Sequence, residues 1–236
     1  MKASLLKSAA PHLVAVLIFT VISFVYFYPV LEGKKINAHD TKVFEGSSKE
    51  IRDFRAEYGK EPLWTNSMFG GMPAYMISVK YPGNLFKHLD DLLKIYKTPV
   101  AALFLAMLGF YIMLLLFRVN PWLAMAGAIA YGFSSFLFAS LSAGHNTKAY
   151  AMAWMAPVVG SAIYAFRTDG FKGAALFALF LSLQIMANHF QITYYTFIIL
   201  IVFGIYELID VMKRKTIPSF LKSFGLKLEK GFLIGD

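Results

Sequence analysis

Long apolar runs separated by short polar segments make up most of the chain. The central portion of each run carries no charged residue, and most runs match the roughly 20 residues with which a helix crosses a bilayer. The pattern predicts an all-α polytopic membrane protein with about six transmembrane helices. The predicted spans cover residues 13–31, 98–117, 122–141, 150–166, 173–187 and 192–212.

The polar segment 32–97 is too long for a hairpin and is predicted to be a large external loop with structure of its own. Ser47 and Glu50 have the spacing of a capping box, in which each side chain bonds to a backbone N–H at the start of a helix. Apolar residues then recur at helical spacing, which predicts a short helix over 48–58.

A second helix is predicted over 85–96, where apolar and charged side chains fall on opposite faces. Such a helix either lies among the lipid headgroups or docks on the protein's own domain, and the pattern allows both. Its predicted polar face consists of Lys87, His88, Asp90, Asp91, Lys94 and Lys97. Residues 62–73 mix turn formers with aromatic side chains, which predicts a shaped loop between the two helices.

The composition agrees with a membrane protein and excludes several other classes. Hydrophobic residues make up 58% of the chain and charged residues only 16%, against about a quarter charged in soluble domains. The net charge of +9 comes from cations scattered along the chain or placed at span ends. Because no nucleic-acid-binding motif accompanies them, we exclude nucleic acid as a partner. The absence of cysteine excludes disulfides and thiolate chemistry.

Basic residues also predict the orientation, since short loops rich in Lys and Arg stay in the cytoplasm. Arg118, Arg167 and Lys172 lie in short loops that fall on the same side as the Lys2 and Lys7 leader. That side is therefore predicted to be cytoplasmic. The first apolar run is too long for a signal-peptide core, so it is interpreted as an uncleaved anchor.

The predicted organisation has four segments. A cytoplasmic leader and the first span take residues 1–31, and the external loop domain takes 32–97. Five spans with short loops occupy 98–212, and a basic cytoplasmic segment follows over 213–236.

Residues suited to chemistry gather on the predicted external face. Asp40, preceded by His39, follows the first span, where burial and nearby lysines can tune a carboxylate for proton transfer. The predicted cytoplasmic loops contain no comparable mixture, so Asp40 is the predicted chemical centre. The other external turns add His145, Asn146, Lys148, Asn188, His189 and Gln191.

Each of these residues also has a structural interpretation. Asp40 would be a loop carboxylate paired with Lys35 or Lys42, and the external histidines would bond to backbone groups at helix ends. A divalent metal is a further alternative, with Asp40 and His39 as ligands. No two of the external His and Asp residues have the spacing of a metal motif on one helix, so the sequence leaves the metal open.

Several short motifs accompany this order of elements. Asn37-Ala38-His39-Asp40 follows the first span, and Gly144-His145-Asn146-Thr147-Lys148 precedes the fourth. Pro62-Leu63-Trp64-Thr65-Asn66 and Phe69-Gly70-Gly71-Met72-Pro73 form the shaped loop. Together they resemble the bacterial YfhO family of membrane proteins, especially its Bacteroidetes-type members, over nearly all of the chain. Family members are much longer, so we expect this chain to be an N-terminal part followed by further spans.

The resemblance implies a GT-C-type glycosyltransferase in the bacterial cytoplasmic membrane. Such a protein moves a sugar from a polyprenyl-phosphate-linked donor to a cell-envelope acceptor on the outer face. Asp40, beside His39, is implied as the catalytic or metal-associated carboxylate, although the paired acids common in that class are absent. The residues implied to bind the donor phosphate are His145, Lys148 and His189. Those implied to line the substrate loops are Trp64, Asn66, Asn146 and Asn188.

Two other functions stay open at this point. A transporter or flippase for a lipid-linked or polysaccharide substrate would show ionisable groups near the midplane, broken helices and an internal repeat, and the sequence pattern reveals none of these. A noncatalytic membrane scaffold would bind a partner through its outer loop, and Asp40 would then be dispensable.

Overall fold

The computed structural model describes residues 2–78, 83–96 and 98–214 of the 236-residue chain. This part of the protein is mostly helical and contains one short two-stranded sheet, so the predicted all-α class is confirmed. The predicted basic segment 213–236 lies outside the described residues from position 215 onward. Lys97 and the side chains of Lys2 and Lys7 lie outside them as well.

The described helices are numbered here in chain order. They are α1 (Lys2–Tyr26), α2 (His39–Ser47), α3 (Lys49–Tyr58), α4 (Leu85–Leu93), α5 (Val100–Leu116), α6 (Pro121–Gly132), α7 (Ser135–Ala143), α8 (Asn146–Arg167), α9 (Gly170–Met186) and α10 (Phe190–Arg214). The strands are β1 (Trp64–Thr65) and β2 (Met72–Pro73).

The centre of the bundle is the crossing of α5 and α8, which run parallel. At one end of the pair the hydroxyl groups of Thr98 and Tyr150 lie 2.5 Å apart. Further along, Gly109 lies so close to α8 that a Cβ built on it would stand 2.1 Å from the carbonyl oxygen of Ala153. Small residues let two helix backbones approach in this way, so Gly109 sets the distance between the two helices.

The remaining long helices pack around this pair. α9 runs antiparallel to α8, and the Gln184 side chain joins it to both neighbours. Its Nε2 donates to the Ala151 carbonyl oxygen at 3.2 Å and to Thr196 Oγ1 of α10 at 2.8 Å. α1 runs antiparallel to α5, because His12 near its start lies 2.8 Å from the Tyr111 hydroxyl near the end of α5. Polar side chains therefore join helices whose packing is otherwise apolar.

Three helices, α1, α8 and α10, are long and apolar enough to cross a membrane. A fourth span results if α6 and α7 are counted together, whereas α5 and α9 are apolar but only 17 residues long. Within the described residues, length and composition therefore support three or four spans of the six predicted. α10 leaves most of its large apolar side chains exposed, as a lipid-facing helix does.

The third predicted span is not one straight helix. Residues 122–141 divide between α6 and α7, whose axes differ by 43° across the break at Phe133 and Ser134. The first predicted span also ends early, because α1 stops at Tyr26 and a short 3₁₀ turn follows over Tyr28–Val30. Pro29 lacks the N–H that an α-helix would require there.

The segment predicted to be external contains a helix that the sequence pattern did not predict. α2 begins at His39, directly before Asp40, and α3 follows as expected over Lys49–Tyr58. The predicted capping box is wrong, because no side chain caps α3. Glu50 instead accepts hydrogen bonds from Thr65 Oγ1 at 2.6 Å and from the Asn66 backbone N–H at 2.9 Å. These two hydrogen bonds hold the shaped loop against α3.

The shaped loop is a small hairpin in which Trp64 pairs with Pro73. Gly71 has a φ of +123°, and a Cβ on it would lie 2.6 Å from the Trp64 indole nitrogen. Only glycine suits both the backbone conformation and this contact.

The amphipathic helix α4 is confirmed, but its orientation differs from the simple apolar-inside pattern. Leu85 and Leu92 are exposed, whereas Asp90 is only 7% exposed and pairs with Lys94 at 2.6 Å. The Lys94 ammonium in turn lies 4.3 Å from the centre of the Tyr150 ring. A shielded ion pair and a cation–π contact therefore dock this helix on the bundle.

We expect Gly109→Val to weaken the bundle, because its side chain would overlap the Ala153 carbonyl oxygen and force α5 and α8 apart. The cost should be about 1–3 kcal/mol, as for overpacked cores, and appear as a lower unfolding temperature of the purified protein in detergent. The control is Gly204→Ala on α10, where a Cβ meets nothing within 4 Å. An unchanged unfolding temperature for Gly109→Val would contradict the close crossing.

Candidate functional site

Three loops meet at the end of the bundle where α8 and α10 begin. They are the segment from α1 to α2, the turn between α7 and α8, and the turn between α9 and α10. Contacts between His145 and Asp40, and between Thr147 and His189, link all three. This end, called the histidine end below, holds most of the sequence-predicted site residues.

The central contact joins Asp40 and His145. Asp40 lies in the first turn of α2, where the helix dipole favours a negative charge. His145 immediately precedes α8, and its Nδ1 lies 3.0 Å from Asp40 Oδ2. The two side chains are 43% and 44% exposed, so solvent and substrates can reach both. The structural interpretation paired Asp40 with Lys35 or Lys42, whereas the ion-pair partner that the described residues give it is His145.

A glycine fixes the distance between the two loops. Gly144 has a φ of +95°, and a Cβ at this position would lie 2.9 Å from Ala38 Cβ and 3.0 Å from Thr41 Oγ1. The turn before α8 thus rests directly on the first turn of α2. A side chain at position 144 would push His145 away from Asp40.

The pair brings an imidazole nitrogen to within ion-pair distance of a carboxylate oxygen. An imidazole that donates through Nδ1–H to a carboxylate keeps its Nε2 lone pair for another donor. This arrangement of carboxylate, imidazole and open nitrogen is one that proteins use to remove a proton from a hydroxyl group.

His189 lies beside this pair. Partial burial lowers its pKa below 6.5, and the neighbouring Lys148 and His145 lower it further. Its Nδ1 lies 3.3 Å from Thr147 Oγ1, while its buried Nε2 has no partner among the described residues. The lowered pKa favours the neutral imidazole of His189 at pH 7.

Lys148 supplies the positive charge of the site. Its ammonium nitrogen lies 4.3 Å from the centre of the Phe136 ring on α7. This contact positions the half-buried side chain without neutralising its charge.

A cavity of about 440 Å³ adjoins Asp40. Val43, Phe44, Met76 and Ile77 form its apolar wall, and Ser47 adds a hydroxyl group. The carboxylate therefore lies at the edge of an apolar groove, where it can meet a ligand that has both polar and apolar parts.

Other sequence-predicted residues are near this site without joining it. His39 is exposed and has no described side-chain partner, while Asn188 is exposed with a φ of +55°. Asn66 lines a separate cavity beside Glu50, and Trp64 packs on Gly71. The remaining residue is Asn146, the half-buried first residue of α8.

The described residues contain no group of three or more His, Asp or Glu side chains arranged to hold a metal ion. Asp40 and His145 would offer two ligands at most, and His39 contributes no contact to the pair. The reaction proposed below assigns no step to a metal.

Two residues of the site were missed by the sequence analysis. Gly144 and Thr147 both lie in the motif Gly144-His145-Asn146-Thr147-Lys148, but neither carries a charge that would mark it. A glycine in the short turn between two predicted helices was the available signal for a close approach.

Comparison of the chain with protein-family models, with curated proteins and with solved structures finds no match. The functional argument below consequently depends on the geometry of the histidine end.

We expect acid to destabilise the fold through His189. Because its pKa is lower in the folded state than the ordinary 6.5, the unfolded chain binds more protons between these two values. Stability should therefore fall as the pH drops below about 6.5. Unfolding temperatures measured from pH 7.5 to 5 should fall less steeply for His189→Gln than for the wild type.

The control for this measurement is His88→Gln, which removes an exposed histidine of α4. It should retain the wild-type slope. A His189→Gln variant with the wild-type slope would show that His189 is not the group whose protonation destabilises the fold.

Proposed function

We propose that the protein is part of a membrane glycosyltransferase that uses Asp40 and His145 together as its proton acceptor. The substrate would be a sugar linked to polyprenyl phosphate, and the acceptor a hydroxyl group of the cell envelope. The observation that carries the proposal is the 3.0 Å contact between Asp40 Oδ2 and His145 Nδ1, made by two loops far apart in sequence.

In the proposed reaction the Asp40 carboxylate orients His145 and leaves its Nε2 facing the acceptor. The acceptor oxygen forms a bond to the anomeric carbon, and the bond from that carbon to the phosphate oxygen breaks. The hydroxyl proton passes to Nε2, and polyprenyl phosphate leaves as an anion. In this proposal His145 accepts the proton, whereas the sequence resemblance implied that it binds the donor phosphate.

Lys148 is the proposed partner of the leaving phosphate. A fixed positive charge near a developing anion lowers the barrier because it needs no rearrangement during the reaction. The apolar groove beside Asp40 suits the isoprenoid chain or the apolar face of a sugar ring.

The proposal also includes six membrane crossings, with α5, α9 and the bent pair α6 and α7 as the additional spans. It places the histidine end outside the cytoplasmic membrane, because Arg118, Arg167 and Lys172 all lie at the opposite end. The exposed apolar side chains of α10 agree with contact to lipid.

The proposal is tested in a strain that lacks the protein and is complemented with the complete gene. Asp40→Asn should reduce the envelope sugar by about 100-fold or more, within the range of a lost general base. The envelope glycans are measured by mass spectrometry at matched expression. The control is Glu45→Gln, which removes an exposed carboxylate from the same helix and lies outside the groove.

Normal glycans with Asp40→Asn would exclude this residue from the reaction. Glycans that stay unchanged even in the deletion strain would contradict sugar transfer altogether.

A transporter or flippase is the second candidate, and one observation favours it. The 43° break between α6 and α7 is the kind of interrupted helix that transporters use at their binding sites. No Asp, Glu, Lys or Arg lies in either helix, so the break offers no charged group for a coupling ion. Glycosyl transfer is therefore the better supported function.

A further inference from the structure

A cavity of about 470 Å³ lies at the end of the bundle opposite the histidine end. It opens between the ends of α5 and α8, and the proposed transfer reaction does not use it. Arg118, Tyr164 and Arg167 supply its polar side, while Phe117 and Ile163 supply apolar wall.

Arg118 occupies a backbone position that normally favours glycine. It follows the last turn of α5 with a φ of +59°. Its N–H donates to the Leu115 carbonyl oxygen at 2.9 Å, and the Val119 N–H donates to that of Leu114 at 3.0 Å. This pair of bonds defines a Schellman motif, whose left-handed residue is usually glycine. Arginine there costs about 1 kcal/mol, so the fold itself gives no reason for this side chain.

The two arginines of the cavity differ in their charge balance. Arg167 donates from Nε and Nη2 to Glu207 Oε1, at 2.8 and 2.6 Å, so its charge is compensated. The exposed Arg118 side chain has no hydrogen bond or ion pair among the described residues. Within the described part of the chain, the cavity therefore carries about one uncompensated positive charge beside an apolar wall.

The geometry points to a binding site for the phosphate of an anionic lipid headgroup. A guanidinium group binds phosphate through two parallel N–H donors, and no described residue bonds to the guanidinium group of Arg118. Tyr164 adds a hydroxyl group, and Phe117 and Ile163 offer contacts for the glycerol and the first acyl carbons. Basic pockets between membrane helices hold lipid headgroups in this way. The site is independent of the proposed glycosyl transfer.

The test uses the full chain purified in detergent and titrated with phosphatidylglycerol, with bound lipid counted by native mass spectrometry. Phosphatidylcholine serves as the zwitterionic comparison, and inorganic phosphate as the water-soluble one. Arg118→Gly should weaken phosphatidylglycerol binding about tenfold, as expected for a lost charge-assisted hydrogen bond. It should also keep or raise the unfolding temperature without lipid, because glycine suits a φ of +59°.

The matched control is Lys172→Gln, which removes one exposed cation from the same end of the bundle outside the cavity. It should retain wild-type binding. Equal binding by Arg118→Gly and the wild type, or an equal loss in Lys172→Gln, would overturn the site. Inorganic phosphate that competes fully with the lipid at equal concentration would overturn its assignment to a lipid.

Discussion

The close crossing of α5 and α8 determines where both ends of the molecule lie. Gly109 lets the two backbones approach until no side chain fits between them, and the first turns of α5 are almost completely buried. α8 is thereby held along its length, with His145 before its first residue and Arg167 as its last. A displacement of α8 would disturb the histidine end and the arginine-lined cavity together.

The histidine end shows how two polar side chains meet through backbone contact. Asp40 and His145 meet because Gly144 allows the turn before α8 to rest on α2, and not because the carboxylate is deeply buried. Their partial exposure keeps the pair accessible, and the helix dipole of α2 favours the carboxylate. Partial burial lowers the pKa of His189, which favours its neutral form. The positive charge of this site is therefore that of Lys148, which has no ion-pair partner among the described residues.

The sequence predicted those parts of the fold that depend on local pattern. The uncharged apolar runs located all the long helices, and helical spacing located α3 and α4. The break between α6 and α7 was missed because Phe133 and Ser134 interrupt the helix without a change in hydropathy. Glu50 was misassigned because its partners, Thr65 and Asn66, lie in a loop that only the tertiary fold brings near. The histidine end was foreseen as a set of residues, but the pairing of Asp40 with His145 required a contact that spacing cannot reveal.

The central claim is that Asp40 and His145 act as one unit in sugar transfer, and a double-mutant comparison tests it most directly. Incorporation of the envelope sugar would be measured for Asp40→Asn, His145→Gln and the double variant in the complemented strain. If the residues form one proton-accepting unit, the double variant should lose no more activity than the worse single variant. Independent losses that multiply in the double variant, or full activity in His145→Gln, would contradict the account.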